Sequence, residues 1–240
     1  MKLGFCLLCS LVAGLLTPAG VLVAQQAGPA AGPLFPTVTY DCLWAAATPQ
    51  EYHISVTSAG SASYLSRNPE KPPDANGVRD EDYVIEFTMS EPNRRKVFAL
   101  AEQAKFFDGQ FDYTKHAIAN TGQKTLSYAD SARHFQTTYN WSENAAIDQL
   151  TKIFGGISST VEHGRKLQFL RRFDKLGLEA ELKAMESLAQ SEDLAEIQII
   201  APLLESIAND PSVLNIARQR ARRLLALGQA QAAGGVKVVH

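Results

Sequence analysis

"HFQTTYNWSENAAIDQLTKIF", residues 134–154, contains the change of period on which the fold turns. Its first residues close a longer stretch, "QKTLSYADSARHFQTTYN" (123–140), that reads as two strands turning at Asp130-Ser131, residue types whose side chains bond the local backbone. From Ser142 the apolar residues Ile147, Leu150 and Phe154 recur at helical spacing behind a serine placed as a helix cap. Strand periodicity before this point and helix periodicity after it predict an α+β chain. The expected layout is a small N-terminal antiparallel sheet with a covering helix, followed by a C-terminal helical bundle.

Upstream, "EYHISVTSAGSASYLSR" (51–67) predicts a first hairpin. Tyr52, Ile54 and Val56 share one face, Gly60 turns the chain, and Tyr64 lies on the return strand. His53 points to the other face and is expected in solvent. "NPEKPPDANGVRDED" (68–82) is a charged, proline-rich surface loop, and "DYVIEFTM" (82–89) is a further strand. In that strand Val84 alternates against Glu86, and Phe87 breaks the strict pattern. Ser90 is a candidate cap for "EPNRRKVFALAEQAKFF" (91–107), a helix expected to lie across the sheet through Val97, Leu100, Ala101 and Ala104. "FFDGQFDYTKHAIANTG" (106–122) reads as an irregular excursion, its aromatic residues plugging the sheet edge and its aspartates capping turns.

Downstream, Gly155-Gly156 is expected to interrupt the helix, which resumes with Val161, Leu167 and Leu170 and ends at Gly177. Gly164, following His163 inside a helical pattern, costs about 1 kcal/mol against alanine and suggests close packing. Leu178, Leu182, Met185 and Ala189 form one stripe. Ile197, Ile200, Leu204 and Ile207 form the next, in a helix that Pro202 should kink. A last helix is expected after Asp210-Pro211, with a disordered tail behind it.

The chain carries 23 basic and 25 acidic side chains, a formal charge of −2, so no overall field attracts polyanions. "MKLGFCLLCSLVAGLLTPAGVLVA" (1–24) has Lys2 as its only charge, and the polar "QQ" follows Ala24. This is the pattern of a cleaved secretory signal; Gly14, Pro18 and Gly20 punctuate the run and disfavour a membrane anchor. The organisation expected is therefore a signal peptide over 1–24, a flexible Pro/Gly/Ala leader over 25–38, an α+β domain over 39–141, a helical domain over 142–228 and a disordered tail over 229–240. Secretion or a periplasmic location follows. Of three cysteines, Cys6 and Cys9 would leave with the signal, so Cys42 alone remains and the domain must hold together by its core. Cys42 in "TYDCLWAAA" reads as a small buried side chain rather than a nucleophile.

"SVLNIARQRARRLLALG" (212–228) places four arginines within six positions. On a helical wheel Val213, Leu214, Ala217, Ala221, Leu224 and Leu225 make one apolar arc. Arg218, Arg222 and Arg223 fan out beyond it, whereas a helix that binds nucleic acid or lipid gathers its cations on one face. Arg220 projects into the arc beside Ile216 and Leu227 and is expected either to snorkel to water or to pair with a carboxylate of a neighbouring helix.

"HGRKLQFLRRFDKLGLEAELKAME" followed by "IAPLLESIANDPSVLNIARQRARRLLAL" resembles the C-terminal part of exported bacterial proteins without an assigned role. The N-terminal hairpin, "RRKVFALAEQAKFFDGQFDY" and the later hairpin are similar in layout to small bacterial domains of unknown function. "DPSVLNIARQRARRLLALG" also resembles the second helix of a HEAT-type repeat. The resemblance implies fold and location and brings no activity with it.

No G-x-S-x-G, H-E-x-x-H, paired C-x-x-C or phosphate-loop spacing is present, and no catalytic residue, metal site or cofactor is assigned. Asp108, Asp112, His116 and His134 are the one polar cluster able to hold a divalent metal or do acid–base work, provided they converge. Asn140-Trp141-Ser142 is formally a glycosylation sequon, read here as the approach to a helix. The favoured function is a non-catalytic binding or structural module whose partner is another envelope protein, without nucleic acid and without a stable membrane span. The alternative is a metal-dependent or hydrolytic enzyme using the 108–134 segment. If the arginines of 218–223 are a wetted helix face, mobility-shift and liposome-sedimentation assays at low salt will both show no binding; a shift or pelleting would reject that reading.

Overall fold

The computed structural model describes residues 34–73, 75, 77 and 81–234. Six strands, β1 (Thr37–Leu43), β2 (Glu51–Thr57), β3 (Ser61–Arg67), β4 (Tyr83–Thr88), β5 (Gln123–Ala129) and β6 (His134–Tyr139), form one antiparallel sheet in the order β4-β3-β2-β1-β5-β6. Helices α1 (Glu91–Gln103), α2 (Ala145–Phe173), α3 (Gly177–Gln190), α4 (Ala201–Ala208) and α5 (Asn215–Ala232) complete the α+β fold, with most of the helical mass in the C-terminal half. No described helix is long and apolar enough to cross a membrane. The expected signal peptide lies outside the described residues.

One face of the sheet is polar and wetted, with Asp41 beside His53 at 2.7 Å and Thr125 beside Thr138 at 2.9 Å. The other is apolar, and its residues follow the pleat: Val38 and Tyr40 on β1, Ile54 and Val56 on β2, Leu126 and Tyr128 on β5. β1 is a finding. The leader was expected to reach residue 38, yet the chain enters the sheet at Thr37 and supplies its middle, between β2 and β5. On β4 it is Tyr83, Ile85 and Phe87 that turn toward the core, while Val84 and Glu86 share the outer face. The β4 pattern is therefore regular, and Phe87 keeps step rather than breaking it.

α1 begins behind Ser90, but the serine hydroxyl makes no helix-capping bond. It donates instead to the buried Glu196 Oε1 at 2.6 Å, while the Ser90 N–H donates to Oε2 at 2.8 Å and Asn93 Nδ2 to Oε1 at 2.5 Å. A carboxylate at the positive end of a helix is favourable, and this one ties α1 to the segment before α4. After α1 the turn Lys105–Phe107 is left-handed throughout (φ 53°, 56° and 72°), a strained path that drives Phe107 fully into the core. Phe106 packs at a tilt against Tyr128 of β5, ring centroids 4.6 Å apart, under the Arg133 guanidinium, so the segment sets its aromatic rings against the sheet inside the edge strand rather than on it.

α2 is one continuous helix of 29 residues. Gly155-Gly156 does not break it, because the ladder runs through both glycines and the neighbours decide the matter. Its cap is Asn144, whose Oδ1 accepts from the N–H groups of Ala146 and Ile147, rather than Ser142. α2 ends at Phe173, and Gly177 opens α3 instead of closing α2. The first half of α2, Ala146 to Val161, packs with the sheet and α1; Leu167 joins a second core made with α3, α4 and α5. A Cβ on Gly156 would meet the Ala195 backbone nitrogen at 3.0 Å, and one on Gly164 would meet Ile200 Cγ2 at 2.5 Å. Between them Thr160 Oγ1 donates to the Ala195 carbonyl at 2.7 Å. The buried Glu181 of α3 receives His163 Nδ1 and Lys166 Nζ from α2, each at 2.5 Å.

Residues 197–200 form a 3-10 turn, and Pro202 sits in the first turn of α4, where its missing N–H costs nothing. The bend lies before the proline, not within a kinked helix. α5 starts at Asn215, four residues beyond Pro211, because Asp210 first turns the chain by accepting from Ser212 and Val213. The helix continues to Ala232, past the start expected for the tail, with Gln231 Nε2 donating to the Leu194 carbonyl; residues 235–240 lie outside the described residues.

The two adjacent glycines give opposite expectations. Nothing lies within 4 Å of a Cβ on Gly155, so Gly155→Ala should stabilise by up to about 1 kcal/mol through helix propensity. Gly156→Ala should destabilise by about 1–3 kcal/mol, because backbone must move. Urea unfolding of the two variants compares them directly.

Candidate functional site

The inward residues at one end of the sheet form a single row across all six strands. Register places Tyr83, Ser66, Tyr52, Cys42, Lys124 and Tyr139 side by side. This row is polar, whereas the next one inward carries Ile85, Tyr64, Ile54, Tyr40, Leu126 and Thr137. α2 lies along it with residues 151, 155, 158, 162 and 165, which recur at helical spacing. Thr151 meets the Tyr139 hydroxyl at 2.6 Å. Glu162 Oε1 accepts from Tyr64 at 2.8 Å and Ser66 at 2.6 Å, and Ser158 lies 3.0 Å from the Tyr64 hydroxyl. The Arg165 guanidinium stands 4.9 Å from the Tyr83 ring centroid. Gly155, midway along this face, has no side chain to offer. A cavity of about 890 Å³ opens there, lined by Tyr40, Cys42, Tyr52 and Lys124 below and by Gly155, Ser158 and Glu162 above. Trp44, Pro49 and Phe169 add apolar walls.

Burial sets the electrostatics of this floor. It holds the Tyr40, Tyr52 and Tyr139 phenols above their ordinary value, and also raises the Cys42 thiol. A cysteine in that state is a poor nucleophile, since attack needs the thiolate. Burial lowers the Lys124 ammonium. Its Nζ donates to the carbonyls of Thr121, Gly122 and Asn140 and to the Thr121 hydroxyl, with no carboxylate among its described partners. The Tyr40 ring stacks on Phe154 at 5.1 Å, and its fully buried hydroxyl has no hydrogen-bond partner among the described residues. Tyr52 and Cys42 stand close enough to influence its ionisation without a well-formed bond.

The residues singled out in the sequence lie elsewhere, apart from Cys42 and His163. Asp108, Asp112, His116 and His134 are all exposed and none lines the cavity. Asp112 accepts the Asn140 N–H at 2.8 Å, and His116 stands beside Tyr113. Among the described residues no group of three or more His, Cys, Asp or Glu is arranged to hold a metal ion. Asn140 is tied down by Thr121 and Ala119, and Trp141 packs edge-on to Tyr113 at 5.0 Å, as suits the approach to α2. His53 is half-buried on the outer face, held by Asp41 rather than standing free in solvent.

The arginines of α5 take separate paths. Arg220 pairs with Glu179 and Glu186 of α3, Arg223 with Glu186, and Arg222 with the Ala208 carbonyl. Arg218 reaches Asn215. Of the apolar arc, Val213, Ala217, Ala221 and Leu224 are buried, but Leu214 is exposed because it precedes the first turn.

Tyr40, Lys124 and Glu162 escaped the sequence reading, while Tyr52 and Gly155 entered it only as a strand-face residue and a helix break. Two signals were present: a lysine in step with Leu126 and Tyr128 on an inward face, and a glycine pair inside a helix. No family model matches the chain, and no curated protein matches it.

The phenols also set a pH dependence. Tyr40, Tyr52, Tyr64 and Tyr139 hold their protons in the fold at a pH where the unfolded chain, at its ordinary 10.0, releases them. Their contribution is complete below that value and is lost as pH rises beyond it. The urea midpoint should stay level between about pH 7 and 9 and drop by about pH 11, with the tyrosinate absorbance of these four side chains appearing only as the protein unfolds.

Proposed function

We propose that the protein is an exported, non-catalytic binding module of the bacterial cell envelope, and that the C-terminal end of α2 is its contact face for another envelope protein. The observation that carries this reading is the exposure of Phe169, Phe173 and Leu176, at 59%, 64% and 73%. Single exposed apolar residues are ordinary, but two aromatic rings 5.0 Å apart with a leucine beyond them are not. The Arg172 guanidinium lies 5.0 Å from the Phe173 ring, and Arg171 and Lys175 flank it in sequence. An aromatic anchor with a basic surround fits a partner that offers an apolar groove edged by acidic side chains.

Export is supported by the charge, apolar run and small-residue boundary of residues 1–24 and by the single cysteine behind them. The likeness to exported bacterial proteins points the same way. The non-catalytic reading is supported by the exposure of Asp108, Asp112, His116 and His134 outside the cavity and by the raised Cys42 thiol.

Phe173→Ser combined with Leu176→Ser tests the face without touching the core. Crosslinking in an envelope extract should join a defined protein to the wild type, and recovery should fall about tenfold or more in the double variant at unchanged melting temperature. Equal recovery by both, or sedimentation of the wild type with anionic vesicles, would overturn the proposal.

A further inference from the structure

The cavity under α2 has no part in that contact face beyond Phe169 at its rim, and its chemistry points to a ligand of its own. Three features meet at its floor. The Tyr40 hydroxyl is completely buried with a proton to donate and, although Tyr52 stands near it, no well-formed hydrogen bond, a state that is costly unless something fills it. Beside the Cys42 and Tyr52 positions in the row stands Lys124, whose charge is cradled by carbonyls and balanced by no carboxylate among its described partners. Among the described lining residues Lys124, Arg165 and Lys166 stand against Glu162, with His163 beside them and Lys71 engaged elsewhere. Lys166 and His163 already face Glu181, and Glu162 is occupied by Tyr64 and Ser66. The potential of such a site favours an anion. The rest of the wall is aromatic or aliphatic, from Trp44, Pro49 and Phe169, which calls for an apolar body behind the anionic group.

Gly155 creates the space. On the same face Thr151, Ser158 and Glu162 all reach down to the sheet, and a side chain at 155 would enter the gap between them without meeting anything within 4 Å of its Cβ. A helix interior that gives up about 1 kcal/mol by carrying glycine where alanine would fit is the signature of a space kept open.

We infer that this cavity binds a monocarboxylate with an extended apolar body, its carboxylate accepting the Tyr40 hydroxyl near Lys124 and its body lying against Trp44, Pro49 and Phe169. A carboxylate would satisfy the buried donor and partner the uncompensated ammonium at once, which a neutral or cationic amphiphile could not do.

The test is calorimetric titration of the purified protein with decanoate, decanol and acetate, on the wild type, Tyr40→Phe and Gly155→Leu. Decanoate should bind, decanol at least about tenfold more weakly, and acetate not measurably. Tyr40→Phe keeps the stacked ring and deletes only the unpartnered hydroxyl, so it should fold as well as the wild type and bind decanoate about tenfold more weakly. Gly155→Leu should fold and lose the site. Absent decanoate binding, equal affinity for decanol or for acetate, unchanged affinity in Tyr40→Phe, or full binding by folded Gly155→Leu would each overturn the inference. Phe173 and Leu176 do not line the cavity, so their double variant should bind decanoate normally whatever becomes of partner recovery, and the two proposals can fail separately.

Discussion

Everything in this molecule is arranged around α2, which has to satisfy two surfaces that demand opposite things. Toward the 194–200 segment it must let backbone approach backbone, and Gly156, Thr160 and Gly164 answer with two absent side chains and one short hydroxyl bonded to the Ala195 carbonyl. Toward the sheet it must cover a row of polar inward residues that a greasy helix face could not satisfy. Thr151, Ser158 and Glu162 supply the hydroxyls and carboxylate that Tyr139, Tyr64 and Ser66 require. Because both faces belong to one rigid rod, the sheet core and the helical core share a single spine. The helix that begins after residue 144 therefore serves both halves of the fold.

A second tie lies across this spine. Glu196 is fully buried yet accepts hydrogen bonds from Ser90 and Asn93 at the start of α1, so the segment feeding α4 is fixed to the helix flanking the sheet. A buried carboxylate earns its place only when its lone pairs are filled, and here they are. On the far side Glu181 takes His163 and Lys166, which secures α3 to α2. The helical half is thus registered to the sheet by directional bonds as well as by apolar burial. The cavity is what remains where that covering is deliberately incomplete, between two well-bonded stretches of the same helix face.

Much of the architecture was legible in periodicity alone. Both hairpins, the strand at 83–88, α1 and the stripe of α3 stand where alternation or helical spacing put them. The misreadings share one physical cause. β1 alternates Val38, Tyr40 and Cys42 against Thr37, Thr39 and Asp41, but it follows a Pro/Gly/Ala stretch whose composition hid the pattern. Gly155-Gly156 looked like a break because local propensity is all that a linear reading weighs. Packing against 194–200 overrides that propensity at Gly156. Ser90 and Ser142 look like caps, yet a distant carboxylate takes the first and Asn144 displaces the second.

The candidate site was less legible, and necessarily so. Asp108, Asp112, His116 and His134 all lie exposed at the surface, Asp112 bonded to the Asn140 N–H and His116 beside Tyr113. Cys42, Tyr52, Lys124 and Ser66 are scattered along the chain yet stand in one row. By itself the sequence determined the α+β class, the order of most elements, which faces turn inward and the expectation of export, since these follow from composition and from periods of 2 and 3.6 residues. Only the tertiary structure decided which strands are neighbours and in what register, and so which polar side chains share a cavity, because antiparallel pairing is set by contacts between residues far apart in the chain.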